Sequence, residues 1–269
     1  MQYDPIKRSL GKVFNTSPFL RVLFYKMLDL LLLRTWHIKK ELRAIRSSLP
    51  KNTEILDAGS GFGQYSYYLA KKFPQTKITG VDVKEEQIAD CNQFFGRLGL
   101  SDKVDFRIAD LTQFREENKY SLVLSVDVME HILEDVQVFK NFTYSMKPGG
   151  VLLISTPSDQ GGSDVHEDSD ESFIEEHVRD GYNIDEICKK LESAGFSKVT
   201  ARYSYGIPGG LAWKLSMKYP IIMLNTSKLF FLIIPFYYLL VFPLSLVLNY
   251  MDVHQTHRRG TGLIVKAVK

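Results

Sequence analysis

The run Asp57-Ala-Gly59-Ser60-Gly61-Phe-Gly63, which follows the strand-like Glu54-Ile55-Leu56, has the composition of a ligand-holding turn. Glycine lets the backbone pass close to a bound group, and the free N–H groups at the start of a following helix attract negative charge. The spacing departs from the G-x-G-x-x-G of dinucleotide loops, because the third glycine comes one residue early and Gln64 takes the sixth place. Asp57, at the strand end, would repel a pyrophosphate and would suit a ligand that carries an ammonium group. Two more acids end the next strands. Asp82 in GVDV can accept hydrogen bonds from both hydroxyls of a ribose, and Asp110 in IADL is placed to receive an adenine amino group.

A second cluster, Asp127-Val-Met-Glu130-His131, follows the fourth strand directly. In a helical turn the i, i+3, i+4 spacing would bring both carboxylates and the imidazole onto one face. His131 could then act as a base toward a hydroxyl, or Asp127, Glu130 and His131 could together hold a divalent cation that lowers the hydroxyl pKa. A purely structural role at the helix start is the third reading. Further along, Asp164, His166, Asp168 and Asp170 alternate, followed by Glu175, Glu176 and His177. This stretch reads as a solvated acidic lid with Gly161-Gly162 as its point of movement, and an oxygen-rich metal site is its alternative. His254 and His257, beside Arg258 and Arg259, are expected at a surface.

In order, ILDAGSGFG, GVDV, IADL, SVDVMEHI and MKPGGVLLISTP resemble the signature of class I S-adenosylmethionine-dependent methyltransferases over residues 54–157. The resemblance implies S-adenosyl-L-methionine as cofactor. It places Asp57, Gly59 and Gly61 at the methionyl part, Asp82 at the ribose and Asp110 with Leu111 at the adenine, and it adds Ser60, Val83 and Ser125 to the binding residues. It also implies a seven-stranded sheet whose last strand, 262–268, is antiparallel. The acid-x-x-Glu-His element is similar to that of ubiquinone-pathway O-methyltransferases, in which metal dependence is a family trait.

The elements that must position these residues can be read from periodicity. Strands at 77–82, 103–108, 120–126 and 151–156 alternate with helices at 64–72, 84–98 and 131–146, and a helix at 183–194 leads into a strand at 198–205. Such alternation argues an α/β, Rossmann-like, mostly parallel sheet covered on both faces. Two N-terminal helices are expected, at 19–33, with Leu20, Leu23, Phe24, Met27, Leu28 and Leu31 at helical spacing, and at 35–48. The expected organisation is a helical cap over 1–50, a binding domain over 51–207 with 260–269, and a hydrophobic insertion over 208–259.

That insertion contains 20 residues without a charge, Leu229 to Leu248. Its length suits a membrane span, but Pro235 and Pro243 are expected to interrupt it, and both its ends must return to one sheet. A re-entrant or interfacial hairpin follows, with Leu211 to Leu224 as its amphipathic arm. A buried cap over the acceptor pocket or a dimer interface is the alternative. Either form points to a lipophilic acceptor, such as a prenylated quinone precursor, a polyene-linked phenol or a lipid head group.

Composition supports that frame. With 45% hydrophobic and 24% charged residues the chain is globular and not disordered. Cys91 and Cys188 lie far apart without histidines at ligand spacing, which argues against a disulfide framework or structural zinc. The net charge of +3 divides unevenly, since residues 1–50 hold ten Lys/Arg against three acids and residues 211–269 hold seven against one. Basic ends rich in apolar runs suggest an anionic lipid surface and no nucleic acid. The N-terminus lacks the pattern of a secretory signal, so the cytoplasmic face of a membrane is the expected location. O-methylation of a hydroxyl leads. C- or N-methylation, a non-catalytic scaffold and a nicotinamide-dependent reductase are the other readings, and the glycine spacing disfavours the last.

Overall fold

The computed structural model describes residues 17–161, 178–227 and 229–269. Two helices, α1 (Pro18–Leu31) and α2 (Leu33–Arg46), precede the alternating core. That core is β1 (Glu54–Ala58), α3 (Gln64–Lys72), β2 (Lys77–Asp82), α4 (Glu85–Arg97), β3 (Val104–Ile108), β4 (Tyr120–Val126), α5 (Asp135–Ser145) and β5 (Met146–Pro157). Then come α6 (Ile184–Ser193) and β6 (Lys198–Ser204), an excursion through α7 (Ile207–Trp213), α8 (Tyr219–Thr226) and α9 (Phe230–His254), and finally β7 (Gly262–Val268). The strands form one sheet in the order β3-β2-β1-β4-β5-β7-β6. As expected, all run parallel except β7, which is antiparallel to both β5 and β6.

Adjacent strand residues point to opposite faces, so Ile55 and Leu56, or Leu122 and Val123, serve two separate apolar layers. One layer is closed by α5 and α6 through Phe139, Phe142, Ile187 and Leu191. The other is closed by α2 and α4 through Ile38, Leu42, Phe94 and Phe95. Strand order reverses between β1 and β4, and open sheets of this kind bind ligands at the carboxyl ends of the strands beside such a reversal.

The excursion between β6 and β7 is a helical hairpin. Its return arm, α9, is one continuous 25-residue helix that runs through Pro235 and Pro243, so the expected interruption does not occur. At about 1.5 Å per residue it is some 37 Å long. It is long and apolar enough to cross a membrane, and only 6% of its most apolar window is buried, which overturns the buried-cap alternative. Leu229, Phe231, Leu232, Phe236, Leu239 and Leu240 are 68–81% exposed.

The outgoing arm is joined to it by an exchange of hydrogen bonds. Residues Lys214–Lys218 form a π-helical turn in which the Tyr219 amide reaches back to the Lys214 carbonyl. Pro220 has no amide to offer, so the Leu215 carbonyl receives neither an α-type nor a π-type bond, and the Ser216 carbonyl loses its α-type partner. Tyr237 and Tyr238 donate their hydroxyls to those two carbonyls, each at 2.7 Å.

At the base of the hairpin the fully buried Asp252 collects donors from three other segments. His37 Nε2 of α2 donates at 2.8 Å, and the amides of Tyr205 and Gly209 donate at 3.1 and 2.9 Å. His257 donates to the Asp252 carbonyl at 2.8 Å and lies 3.2 Å from its carboxylate, so this histidine is packed at the hairpin base and not at the expected surface. Arg202 donates to His37 Nδ1 at 3.1 Å, which fixes the tautomer that donates to Asp252. Burial, outweighing the carboxylate's hydrogen bond, lowers the His37 pKa and keeps the ring neutral.

Asp252→Ala would strand several buried donors at once, at a cost of about 3 kcal/mol. The expected fall in Tm is on the order of 10 °C in calorimetry. Asp252→Asn, which retains an acceptor, should lose less.

Candidate active site

The carboxyl ends of β1, β2 and β4 converge on the glycine turn. Asp57 is buried and accepts a hydrogen bond from Ser66 Oγ at 2.6 Å, while burial and, less strongly, the Asp82 charge push its pKa up to about 6. Gly59 and Ser60 donate their amides to the Val81 carbonyl at 2.8 and 2.9 Å, folding the turn over the end of β2. Gly59 has φ +80°, and a Cβ there would meet the Val128 side chain at 2.2 Å, so this position admits only glycine. Asp82 accepts from the Gly61 amide at 2.9 Å and from the Lys84 amide at 3.0 Å, which holds its carboxylate beside the turn.

Ser60 Oγ and Ser125 Oγ are buried with no hydrogen-bond partner among the described residues. Ser125 stands opposite Ala58 in the β1–β4 pairing, so both hydroxyls belong to the same strand ends. Buried hydroxyls without partners are uncommon, and these two would be satisfied by a polar ligand. Asp57, Ser60, Asp82 and Ser125 are thus arranged to hold a ligand with cationic and hydroxyl groups. Val83 is exposed next to Asp82, and Asp110 is exposed after β3, where its side chain accepts from the Thr112 amide at 2.8 Å. The Leu111 side chain is buried in the sheet layer, so its backbone is the part that would face an adenine.

The acceptor side is less as the spacing suggested. Asp127 has φ +52°, and only Met129–His131 form a single 3-10 turn, so the three side chains do not share a helical face. Glu130 is buried, accepts from Thr156 Oγ1 at 3.0 Å, and has its pKa pushed well up by burial and by the neighbouring Asp127 charge. His131 is exposed at the strand edge. Among the described residues no group of three His, Cys, Asp or Glu side chains is set to hold a metal, so the three-ligand set Asp127, Glu130 and His131 is not assembled. The acidic stretch with Asp164, His166, Asp168, Asp170, Glu175, Glu176 and His177 lies outside the described residues, as does Gly162.

The structure adds residues that the spacing did not reveal. Arg34, at the start of α2, pairs with Asp127, and its amide donates to the Tyr205 hydroxyl at 3.1 Å. The Asp127 charge, against the opposing effect of burial, raises the Arg34 pKa. Tyr65 approaches Thr35 Oγ1 at 3.3 Å, and burial pushes its pKa up. Burial likewise pushes the Tyr205 phenol up to about 12. Tyr205 could have been suspected from its place at the end of β6. Arg34 gave no signal, being one of many basic residues near the N-terminus.

Residues 49–200 match the family model described as Methyltransferase domain. The chain belongs to that family. Phosphoethanolamine N-methyltransferase 1 of Arabidopsis thaliana is 29% identical over 157 residues, which are 58% of this chain and 31% of that one. Malonyl–acyl-carrier-protein O-methyltransferase 2 of Ilyobacter polytropus is 28% identical over 102 residues, 38% of either chain. The chain therefore spans about a third of the length of the curated relatives it matches. Phosphoethanolamine N-methyltransferase 2 of Haemonchus contortus, solved with phosphomonomethylethanolamine and S-adenosylhomocysteine, superposes with a TM-score of 0.58 at 20% identity, covering 86% of this chain and 52% of that one. The fold is that of the S-adenosylmethionine-dependent methyltransferases. S-adenosylmethionine carries an ammonium, a ribose and an adenine, which Asp57, Asp82 and Asp110 would receive. When bound it supplies an electrophilic methyl group.

Asp57 must be ionised to face an ammonium, and its raised pKa puts that ionisation near pH 6. Affinity for S-adenosylhomocysteine should therefore weaken about tenfold between pH 7.5 and pH 5. Calorimetric titration across that range checks this, and Asp57→Asn should bind weakly with a flat profile.

Proposed function

We propose that this chain transfers a methyl group from S-adenosylmethionine to a lipophilic acceptor at a membrane surface, leading to O-methylation of a hydroxyl or phenol. The observation that carries the reading is the hairpin of α7 to α9, an exposed apolar projection rooted by Asp252 beside the Arg34–Asp127 pair. No Asp or Glu occurs from 207 to 251, whereas Trp213, Lys214, Lys218, Tyr219 and Tyr250 are residue types favoured at lipid interfaces. A hairpin returning to one sheet lies in or dips into a single leaflet face, with the catalytic domain on the cytoplasmic side.

Transfer from a sulfonium is an in-line displacement, so the protein's part is alignment and the removal of one proton from a hydroxyl acceptor. His131 is the exposed member of its cluster and serves as that base. Glu130, sealed against Thr156, holds the turn that presents His131, and Arg34 fixes Asp127 beside it. The relatives named for phosphoethanolamine and malonyl–acyl-carrier protein act on nitrogen and oxygen respectively, so an amine-bearing head group is the second reading.

Incubating the purified protein with methyl-labelled S-adenosylmethionine and fractionated membrane lipids tests the proposal. Label should appear in a lipid fraction, and hydrolysis of the product separates O- from N-methylation. Label confined to water-soluble acceptors would overturn it. On the true acceptor His131→Ala should cut turnover by roughly 100-fold while cofactor affinity stays nearly unchanged. Near-normal turnover would remove His131 from the role of base.

A further inference from the structure

Helix α1 presents two unlike faces. Arg21 and Tyr25, one turn apart, are buried. Arg21 Nη2 donates to the Phe62 carbonyl at 2.9 Å, Tyr25 donates its hydroxyl to the same carbonyl, and Arg21 Nε donates to the Tyr25 hydroxyl at 2.8 Å. Arg21 also pairs with Asp90 and stacks over the Phe94 ring at 4.4 Å. Asp29, further along the helix, accepts from Gln64 Nε2 at 2.9 Å. Phe62 lies between Gly61 and Gly63 in the turn that holds the cofactor, so α1 is latched onto that turn.

The opposite face is apolar and open. Phe19 is 73% exposed, and Leu23, Met27, Leu30 and Leu31 are 37–46% exposed. At about 100° per residue these five fall within a third of the helix circumference, diametrically across from Arg21 and Tyr25. The apolar stripe of α1 is therefore not wholly a core face. A 14-residue helix is marginal alone in water, and its outer apolar face gains nothing from burial.

The stripe ends near the base of the hairpin, where Leu33 is buried against Gly209. Its last residues, Leu30 and Leu31, adjoin Leu33, whose side chain lies so close to Gly209 that a Cβ there would meet it at 2.5 Å. Lys40 of α2 donates to the Val253 carbonyl at 2.6 Å, tying the same corner to α9. Lys26 of α1 and Arg43 and Arg46 of α2 are exposed, a basic character that complements an anionic surface.

Resting on the docking of the hairpin proposed above, we propose that the outer face of α1 is a second lipid-docking surface and that a bilayer, by holding α1 in its latched position, orders the glycine turn and tightens cofactor binding. Lipid that holds α1 in the latched state in preference to a released one links the two binding events.

The test uses the full chain, vesicles of phosphatidylcholine with phosphatidylglycerol, and S-adenosylhomocysteine titrated with and without them. The expected result is that the wild type sediments with vesicles and binds S-adenosylhomocysteine on the order of fivefold tighter in their presence. Leu23→Glu with Met27→Glu, both at exposed positions, should still sediment through the hairpin but lose the tightening. Tyr25→Phe, which removes one of the two donors to Phe62, should sediment and show a reduced tightening. Sedimentation with unchanged cofactor affinity in the wild type overturns the coupling alone, as does full tightening in the double variant. Failure of the wild type to sediment overturns the coupling and the hairpin docking together.

Discussion

The buried carboxylate of Asp252 is the interaction on which the arrangement of this chain depends. A charge removed from water is tolerated only where donors surround it, and here they come from α2, from the β6–α7 junction and from the loop after α9. None of these segments can move without baring a donor or the carboxylate. The base of the hairpin is therefore tied to the sheet and to α2. Tyr205, whose amide is held by Asp252, in turn presents its hydroxyl to the Arg34 amide, so the root of the hairpin and the acceptor side of the site share one hydrogen-bonded chain.

The cofactor side rests on a different balance. Asp57 and Asp82 lie close enough for the Asp82 charge to raise the Asp57 pKa, and two serine hydroxyls are buried beside them without partners. Such an arrangement favours a ligand bearing a positive charge and hydroxyl groups. Binding of that ligand would stabilise the turn, which α1 also holds through Phe62.

Much of this was legible in the chain because it is local. A strand running into closely spaced glycines and then a helix specifies its own turn, so the loop from Asp57 to Gly63 and the strand-end acids Asp82 and Asp110 were found by spacing alone. The antiparallel last strand came from the resemblance. What spacing could not reveal was long-range or depended on where a helix begins. Arg34 and Asp127 are 93 positions apart. The shared face of Asp127, Glu130 and His131 required a helix starting at Asp127, whereas its positive φ delays the turn to Met129. Prolines at 235 and 243 signalled breaks, yet each removes only one amide, a loss that a long helix anchored at its base and by two tyrosines absorbs.

Those tyrosines have a geometric consequence. Because Tyr237 and Tyr238 fill the carbonyls that Pro220 leaves open, the two arms cannot slide past each other by a turn without exposing bare acceptors. The hairpin is in effect a strut of set length. Fourteen residues of helix separate Tyr238 from Asp252, about 21 Å. If the tip enters a bilayer as proposed above, the strut would hold that bilayer at a constant stand-off from the strand ends and act as a depth gauge that selects which level of it is offered for reaction.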